Sequence, residues 1–252
     1  MKRRLVVILS LIAIRAFAAE PLRVCADPDN LPYSRADGSG FENRIAQLVA
    51  ADLGRPLEYA WLPDVRGFVR KTLGAGSCDV IVGVPVHFER TANTRPYYRS
   101  TYVLVQRAGD APLRSFDDAR LGSLRVGVQL IGNDLAASPP GELLARRGHT
   151  RNVRGFPLVG EQPSAQRAVD ALARGEIDAA LLWGPQAAYF ARRAAVPLRV
   201  TTLPVPPDAH FDFAIAMGVR RGDAALREQL DDVIERRRAD IARILDEYEV
   251  PR

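Results

Sequence analysis

The sequence predicts an α/β protein of two lobes with mostly parallel sheets, and three observations support this. Short apolar strands alternate with helical segments, beginning with the strand, loop and helix of Leu22–Leu53. A similar order returns later, since Gly175–Leu182 (GEIDAALL) echoes Gly76–Val82 (GSCDVIV). Roughly 230 residues after the N-terminal segment suit two lobes of about 100 residues each. Two such lobes, joined by crossing strands, enclose a cleft.

Residues 1–18 read as an export signal. Met1–Arg4 is positively charged, Leu5–Ile14 is apolar, and Ala16–Ala18 forms a small-residue cleavage site. The alternative is an uncleaved membrane anchor, but the apolar run is short and Arg15 interrupts it. We therefore expect an exported protein that is not inserted in the membrane once the signal is cleaved.

Removal of the signal changes the charge balance. The four basic residues in the signal leave with it, which lowers the formal net charge from +5 to +1. The remaining chain has no basic run interleaved with aromatic residues, so nucleic-acid binding is not expected.

The chain has two cysteines, Cys25 and Cys78. An even number in an exported protein favours a disulfide, and neighbouring parallel strands would bring these two near each other. The alternative is a pair of buried free thiols.

The first lobe is predicted to cover residues 19–104. It begins with a strand at Leu22–Ala26, followed by a turn-rich loop and a helix that Gly54 ends. The loop is the first place to look for function, because ligands of open α/β sheets collect at the carboxyl ends of strands. The remaining predicted elements are a strand at Leu57–Leu62, a turn at Pro63–Arg66 that leads into a helix ending at Leu73–Gly76, a strand at Cys78–Val82 and a long loop at Gly83–Ser100.

The second lobe is predicted to cover residues 105–204, and residues 205–252 return to the first. Its predicted elements are strands at Ser123–Gln129, Asp178–Trp183 and Leu198–Val205, and helices at Glu142–Arg147, Ser164–Arg174 with Ser164 as N-cap, and Gln186–Arg193. Thr101–Gln106 and Phe211–Val219 are predicted strands. Leu226–Tyr248 is predicted to be one long amphipathic helix whose charged side faces solvent.

Several of these segments resemble the periplasmic solute-binding proteins of amino-acid transporters, over essentially the whole chain after the signal. They are Val24–Pro28, Gly40–Ala46, Gly76–Ile81 and the closing amphipathic helix. The resemblance implies a periplasmic protein with the type II fold of that class, in which two lobes are joined by two hinge strands.

A narrower resemblance is to the binding-protein-like accessory protein encoded with quinoprotein methanol dehydrogenases. It implies a non-catalytic protein without a cofactor that assists the dehydrogenase by direct contact. The segments that carry it are Cys25–Ser34, Arg66–Arg70, Gly83–Pro85, Thr94–Tyr102 and Leu182–Pro185.

The chain also departs from the amino-acid receptors. In those proteins an arginine binds the carboxylate of the ligand, and Arg90 could take this role. The acidic residue that grips the ammonium is replaced by Gly184, and Gln129–Asn133 stands in place of the usual Gly-Thr turn. Because a buried ammonium without a carboxylate is costly, ordinary amino-acid binding is not expected.

We predict a cleft that binds a ligand or a partner. Aromatic residues there stack on flat ligands or dock a partner, and arginines bind anions, whereas the alternatives are packing within one lobe and structural ion pairs. The candidate residues are Asp27, Tyr33, Glu42, Arg66, Pro85, Arg90, Arg95, Tyr97, Tyr98, Gln129 and Trp183.

Metal binding and catalysis find little support. Asp27, Asp29 and Glu42 could hold a hard cation, but aspartates in a proline-rich loop more often form turns. The three histidines lack ligand spacing, and the chain has neither a nucleophile elbow nor a Walker loop. No catalytic residue and no metal site are predicted.

Three functions remain. The first is the accessory protein of a quinoprotein alcohol dehydrogenase. The second is a receptor that closes over a small anion or carboxylate and delivers it to a transport permease. The third is a periplasmic enzyme with Glu42 as acid or base and Arg90 as anion anchor.

Overall fold

The computed structural model describes residues 19–131, 136–158 and 162–252. The predicted signal at residues 1–18 lies outside these ranges, as do Gly132 and Asn133. Within them, no helix is both long enough and apolar enough to cross a membrane.

The chain forms two α/β halves. The elements of the first half are β1 (Leu22–Ala26), β2 (Asp29–Asn30), β3 (Ser34–Arg35), α1 (Phe41–Asp52), β4 (Leu57–Trp61), α2 (Phe68–Lys71), β5 (Val80–Pro85) and β6 (Ala92–Asn93). The strand β7 (Tyr98–Arg107) and a 3-10 helix (Ala119–Gly122) follow. The second half contains β8 (Val126–Ile131), β9 (Ala136–Ala137), α3 (Pro139–Arg146), β10 (Val153–Pro157), α4 (Ser164–Ala173), β11 (Ala179–Trp183), α5 (Gly184–Arg192) and β12 (Leu198–Thr201). The chain returns to the first half through β13 (Asp212–Val219), α6 (Ala224–Arg236) and α7 (Arg238–Glu247).

In the sheet of the first half, β1 lies between β4 and β5 and pairs with both in parallel. Parallel strands need both faces covered, and an extensive apolar cluster involving α1, α6 and α7 lies against this sheet. Its fully buried members include Leu22, Phe41, Ile45, Val219, Leu230 and Val233.

The second half repeats this plan. Its strand β8 pairs in parallel with β10 and β11. One apolar cluster includes residues of α4 and α5, and another includes residues of α3 and the 3-10 helix. The mixed α/β architecture, with parallel strands β4, β1 and β5 in one half and β10, β8 and β11 in the other, confirms the predicted fold class.

One strand belongs to both halves. The first residues of β7, Tyr98–Thr101, pair with β13, whereas Tyr102–Arg107 pair with β11 and β12. Since β13 also pairs with β5, β7 and β13 lie side by side where the halves meet. The lobe boundaries at residues 104 and 204 stay predictions.

Cys25 and Cys78 form the predicted disulfide, with a Cα–Cα distance of 5.4 Å. The strand predicted to begin at Cys78 begins two residues later, because β5 starts at Val80. Asp79 nonetheless lies alongside β1, since its amide donates to the Arg23 carbonyl at 2.7 Å and its carboxylate accepts from the Arg23 amide at 3.1 Å. The Cys25–Cys78 bond joins this edge of β5 to β1.

Four other local predictions are corrected. The predicted helix that follows the Pro63–Arg66 turn is shortened to α2, because Gly67 takes a left-handed conformation (φ +92°) and the helix starts only after it and ends at Lys71. The predicted loop at 83–100 is shorter, because β13 pairs with both ends of it and extends β5 to Pro85 and β7 back to Tyr98.

The other two corrections concern helix ends. Pro163, not Ser164, is the N-cap of α4, and the Ser164 hydroxyl instead accepts a hydrogen bond from Gln129. The C-terminal helix breaks at Arg237, where Asp52 accepts hydrogen bonds from Arg236 and Arg237 at 2.5 and 2.6 Å.

Candidate functional site

The close approach of two loop segments places Tyr33 beside Glu42. The Glu42 amide, in the first turn of α1, donates to the Tyr33 carbonyl at 2.8 Å. The preceding Gly40 makes this approach possible, because a Cβ there would lie 2.0 Å from the same carbonyl oxygen. The loop after β1 and the start of α1 therefore present their side chains to one region.

Glu42 has an unusual environment. Burial, and to a lesser extent the neighbouring Asp64 carboxylate, raises the pKa of Glu42 from 4.5 to about 8. Gly83 leaves room for this side chain, since a Cβ there would lie 2.0 Å from Glu42 Oε1. Among the described residues no ion-pair partner neutralises the carboxylate, so a large share of Glu42 is protonated at neutral pH.

Three tyrosines lie near enough to this carboxyl group to feel its charge. The pKa values of Tyr33, Tyr97 and Tyr98 are all raised well above their ordinary value, first by burial and further by the charge of Glu42. The Tyr97 hydroxyl donates to the Val82 carbonyl at 2.9 Å, and the rings of Tyr97 and Tyr98 have centroids 5.0 Å apart. We call Tyr33, Glu42, Tyr97 and Tyr98 the tyrosine niche.

A second aromatic group lies where β7 and β13 meet. Trp183, at the end of β11, makes edge contacts with Tyr102 and Phe213 at centroid distances of 5.3 and 5.8 Å. Burial raises the pKa of Tyr102 to about 12. Although Trp183 belongs to the sheet of the second half, it also packs against the core cluster of the first half, as Tyr33 does.

The structure thus brings six aromatic and acidic side chains together across the two halves. From the first half come the four residues of the tyrosine niche, and from the junction come Tyr102 and Trp183. The pKa of Tyr33 reflects this proximity, because the Tyr102 charge raises it and a hydrogen-bonding interaction with Trp183 lowers it. Such a surface suits contact with apolar or aromatic groups of a ligand or partner.

Asp27 acts as a turn residue. Its two carboxylate oxygens accept from the amides of Asp29 and Asp64 at 2.8 and 2.6 Å. The pKa of Asp64 is raised by burial and by the charge of Asp27. In the part of the chain that the structure describes, no group of three or more histidine, cysteine, aspartate or glutamate residues could hold a metal ion.

The three candidate arginines lie in two kinds of environment. Arg66 and Arg90 are exposed, and in the described ranges neither makes an ion pair. Arg95 is held away from the niche by α6, since its amide donates to Asp231 at 2.6 Å and its side chain pairs with Asp231 and Glu235 at 3.6 and 3.4 Å. Pro85 is exposed at the end of β5.

Gln129 has a structural position inside the second half. Its side-chain amide donates to Ser164 Oγ and Gln186 Oε1, both at 2.9 Å, and its carbonyl accepts from the Trp183 amide at 2.8 Å. The residue is 3% exposed. It therefore ties β8, α4, α5 and the end of β11 together and orients the backbone that carries Trp183.

We expect Gln129→Leu to destabilise the protein by about 2–4 kcal/mol, because it leaves several buried polar groups without partners. Urea unfolding provides the measurement. Gln47→Leu is the matched control, since Gln47 lies on the exposed side of α1 and its replacement should change the stability by less than about 0.5 kcal/mol. Equal effects of the two substitutions would contradict the role assigned to Gln129.

Sequence reasoning missed Asp64, Tyr102 and Phe213. Tyr102 had a detectable signal, because Tyr98, Ser100 and Tyr102 follow the two-residue period of a strand and so share one face. Asp64 and Phe213 had none, since their proximity to the niche and to Trp183 depends on how distant segments fold together.

The fold and this junction between two α/β halves define a binding protein. Residues 22–250 match the bacterial extracellular solute-binding proteins, family 3, and the chain belongs to that family. It is a periplasmic protein of binding-protein type.

Three relatives narrow the class. Protein MoxJ of Methylorubrum extorquens is 34% identical over 261 residues, which cover 94% of this chain and 84% of that protein. Protein MoxJ of Paracoccus denitrificans is 30% identical over 251 residues, 91% of this chain and 88% of that one. The crystal structure of the periplasmic binding protein XoxJ from Methylobacterium extorquens AM1 shares 39% identity, covers 91% of this chain and 98% of that chain, and has a TM-score of 0.77.

Proposed function

We propose that this protein is a non-catalytic periplasmic accessory protein that assists the maturation or activation of a quinoprotein methanol or alcohol dehydrogenase by direct contact. The observation that carries the proposal is the similarity to proteins named MoxJ and XoxJ over nearly the whole chain, at 30–39% identity. It agrees with the segments, Thr94–Tyr102 above all, that resemble the accessory proteins encoded with such dehydrogenases.

The character of the junction supports this proposal. Tyr33 and Tyr97 of the tyrosine niche are half-buried, as is Trp183, and they offer aromatic surface, which is common in protein interfaces. Glu42 is buried, the Tyr97 hydroxyl donates to a backbone carbonyl, and Arg95 pairs with α6. These three side chains are therefore poorly placed to bind an amino acid. The acidic residue that would balance a ligand ammonium is absent at Gly184, where α5 begins.

The proposal predicts a complex between this chain and a dehydrogenase. We expect native mass spectrometry of the protein, isolated gently from the periplasm of its host grown on an alcohol, to show a species at the combined mass of both chains. Deletion of the gene should lower dehydrogenase activity in the periplasm, and the intact chain supplied in trans should restore it. Unchanged activity after deletion would overturn the proposal.

A receptor for a small anion is the second candidate, favoured by the family and by Arg90, which is exposed and makes no ion pair within the described ranges. Its solute would be passed to a transport permease. A ligand at 100 times its Kd adds about 2.7 kcal/mol of stability. Among small carboxylates, one should then raise the unfolding midpoint, Arg90→Ala should remove the rise, and Arg70→Ala, at a second exposed arginine, should keep it. No rise with any carboxylate would remove this candidate.

A further inference from the structure

We propose that Tyr248–Pro251 is a strap that fixes the angle between the two halves. This segment follows α7, which belongs to the first half, and then reaches residues of the second half. The strap restrains motion within the chain itself, without any partner or ligand.

The strap is anchored firmly in the first half. Val250 is 6% exposed and belongs to the core cluster of that half. The Tyr248 hydroxyl donates to the Ser39 carbonyl at 2.6 Å, and its ring lies against Phe41 at a centroid distance of 5.8 Å. The strap therefore moves with α1 and α7.

Its other contacts lie at the junction, where β7 pairs with β13, and in the second half. Arg192, the last residue of α5, pairs with Glu249 at 2.6 Å. The buried Ser100 hydroxyl, on β7, donates to the Pro251 carbonyl at 2.6 Å. Because Gly184 has no side chain, the start of α5 can approach β7 and the strap closely. A Cβ at Gly184 would lie 2.6 Å from the Thr101 carbonyl and 3.2 Å from the Pro251 ring.

A cavity lies between the strap and part of α5. It measures about 440 Å³, and its lining includes Ala188, Ala191, Val200, Glu249 and Pro251. Because this space separates the strap from part of α5, the link to that helix depends on the Glu249–Arg192 pair and on the contacts of Pro251. These contacts are few, and substitution can remove them without disturbing either core.

The strap acts together with Trp183. Trp183 joins the second half to the core of the first on the side of the tyrosine niche, whereas the strap joins α7 to α5. A hinge rotation about β7 and β13 that separates the halves breaks Trp183 contacts, strap contacts or both. Trp183 and the strap thus hold the two halves at one angle to each other, unlike a receptor whose lobes close only over a solute.

The test measures the distance between the halves in solution. Spin labels are attached through Glu58→Cys and Arg151→Cys, both at exposed positions, while the native cysteines remain in their disulfide. Pulsed electron–electron double resonance should give one narrow distribution of label-to-label distances for the otherwise unchanged chain. Ser100→Ala with Glu249→Gln should broaden it and add a population shifted by several ångström.

Three further variants test whether the strap contacts themselves are responsible. Glu247→Gln is the matched control, because it breaks a comparable exposed ion pair, Arg44–Glu247 at 2.6 Å, that joins α1 to α7 within one half, and it should leave the distribution unchanged. Arg192→Glu should broaden the distribution, and adding Glu249→Arg should narrow it again. A distribution that is already broad in the unchanged chain, or that stays narrow in both strap variants, would overturn the proposal.

Discussion

Replacing Glu42 by glutamine is expected to stabilise the protein at pH 8 and to leave its stability nearly unchanged at pH 5. Folding raises the pKa of the Glu42 carboxyl from 4.5 to about 8, so the folded state retains a proton that the unfolded state has lost between these two values. The stability of the unchanged protein therefore falls as the pH rises from about 4.5 to 8, and the loss is complete above that range. Glutamine carries no charge at either pH and escapes this loss.

The expected gain at pH 8 is on the order of 3 kcal/mol, because each pH unit of difference between the two pKa values corresponds to about 1.4 kcal/mol and the side chain keeps some exposure. Urea unfolding between pH 5 and pH 8.5 measures it. Glu89→Gln serves as the control, since Glu89 is exposed and its replacement should give parallel curves. If the Glu42→Gln and unchanged curves also run parallel, the niche does not bury Glu42 as described.

Removing the disulfide by Cys25→Ala and Cys78→Ala is expected to cost about 4 kcal/mol of stability. The bond closes a loop with a sequence separation of 53, and a cross-link of that span restricts the unfolded chain considerably. Cys78 and Cys25 are 0% and 3% exposed, so the two alanines also leave small gaps in the cluster around Phe68 and Leu73.

Urea unfolding of the oxidised protein, the double alanine variant and the reduced protein separates these contributions. The reduced protein keeps both sulfur atoms and should lose most of the 4 kcal/mol, whereas the variant should lose slightly more. A double variant as stable as the oxidised protein would show that the cross-link contributes nothing. The slope of the unfolding free energy against urea concentration, measured for the oxidised protein, serves as the reference for the other two.

The order and type of most elements could be predicted from the sequence. Alternating apolar strands such as Leu22–Ala26 and Ala179–Trp183 carry their own signal, and the amphipathic pattern of α4 and α6 fixes which face is buried. The strand at Val153–Pro157 was missed, because its only buried residue is Phe156 and no apolar pattern marks it.

The candidate site was predicted less completely. Tyr33, Glu42, Tyr97, Tyr98 and Trp183 lie near one another, and their positions next to strand ends pointed to this region. Arg95 and Gln129 stood in equally suggestive segments, yet Arg95 pairs with α6 and Gln129 is buried within the second half. Residue type and position cannot distinguish these cases, because the partners of Arg95 are 136 and 140 residues away in the chain.

The sequence by itself predicted the α/β class, because local apolar patterns mark the strands and helices, and it favoured a disulfide, because an exported chain has two cysteines. The likeness to periplasmic binding proteins came from the resemblance of several segments. Only the tertiary structure decided that Glu42 has a raised pKa, that Trp183 packs against the other half, and that Tyr248–Pro251 reaches α5. The physical reason is that burial and charge neighbours arise from contacts between segments far apart in the chain, which no local pattern encodes.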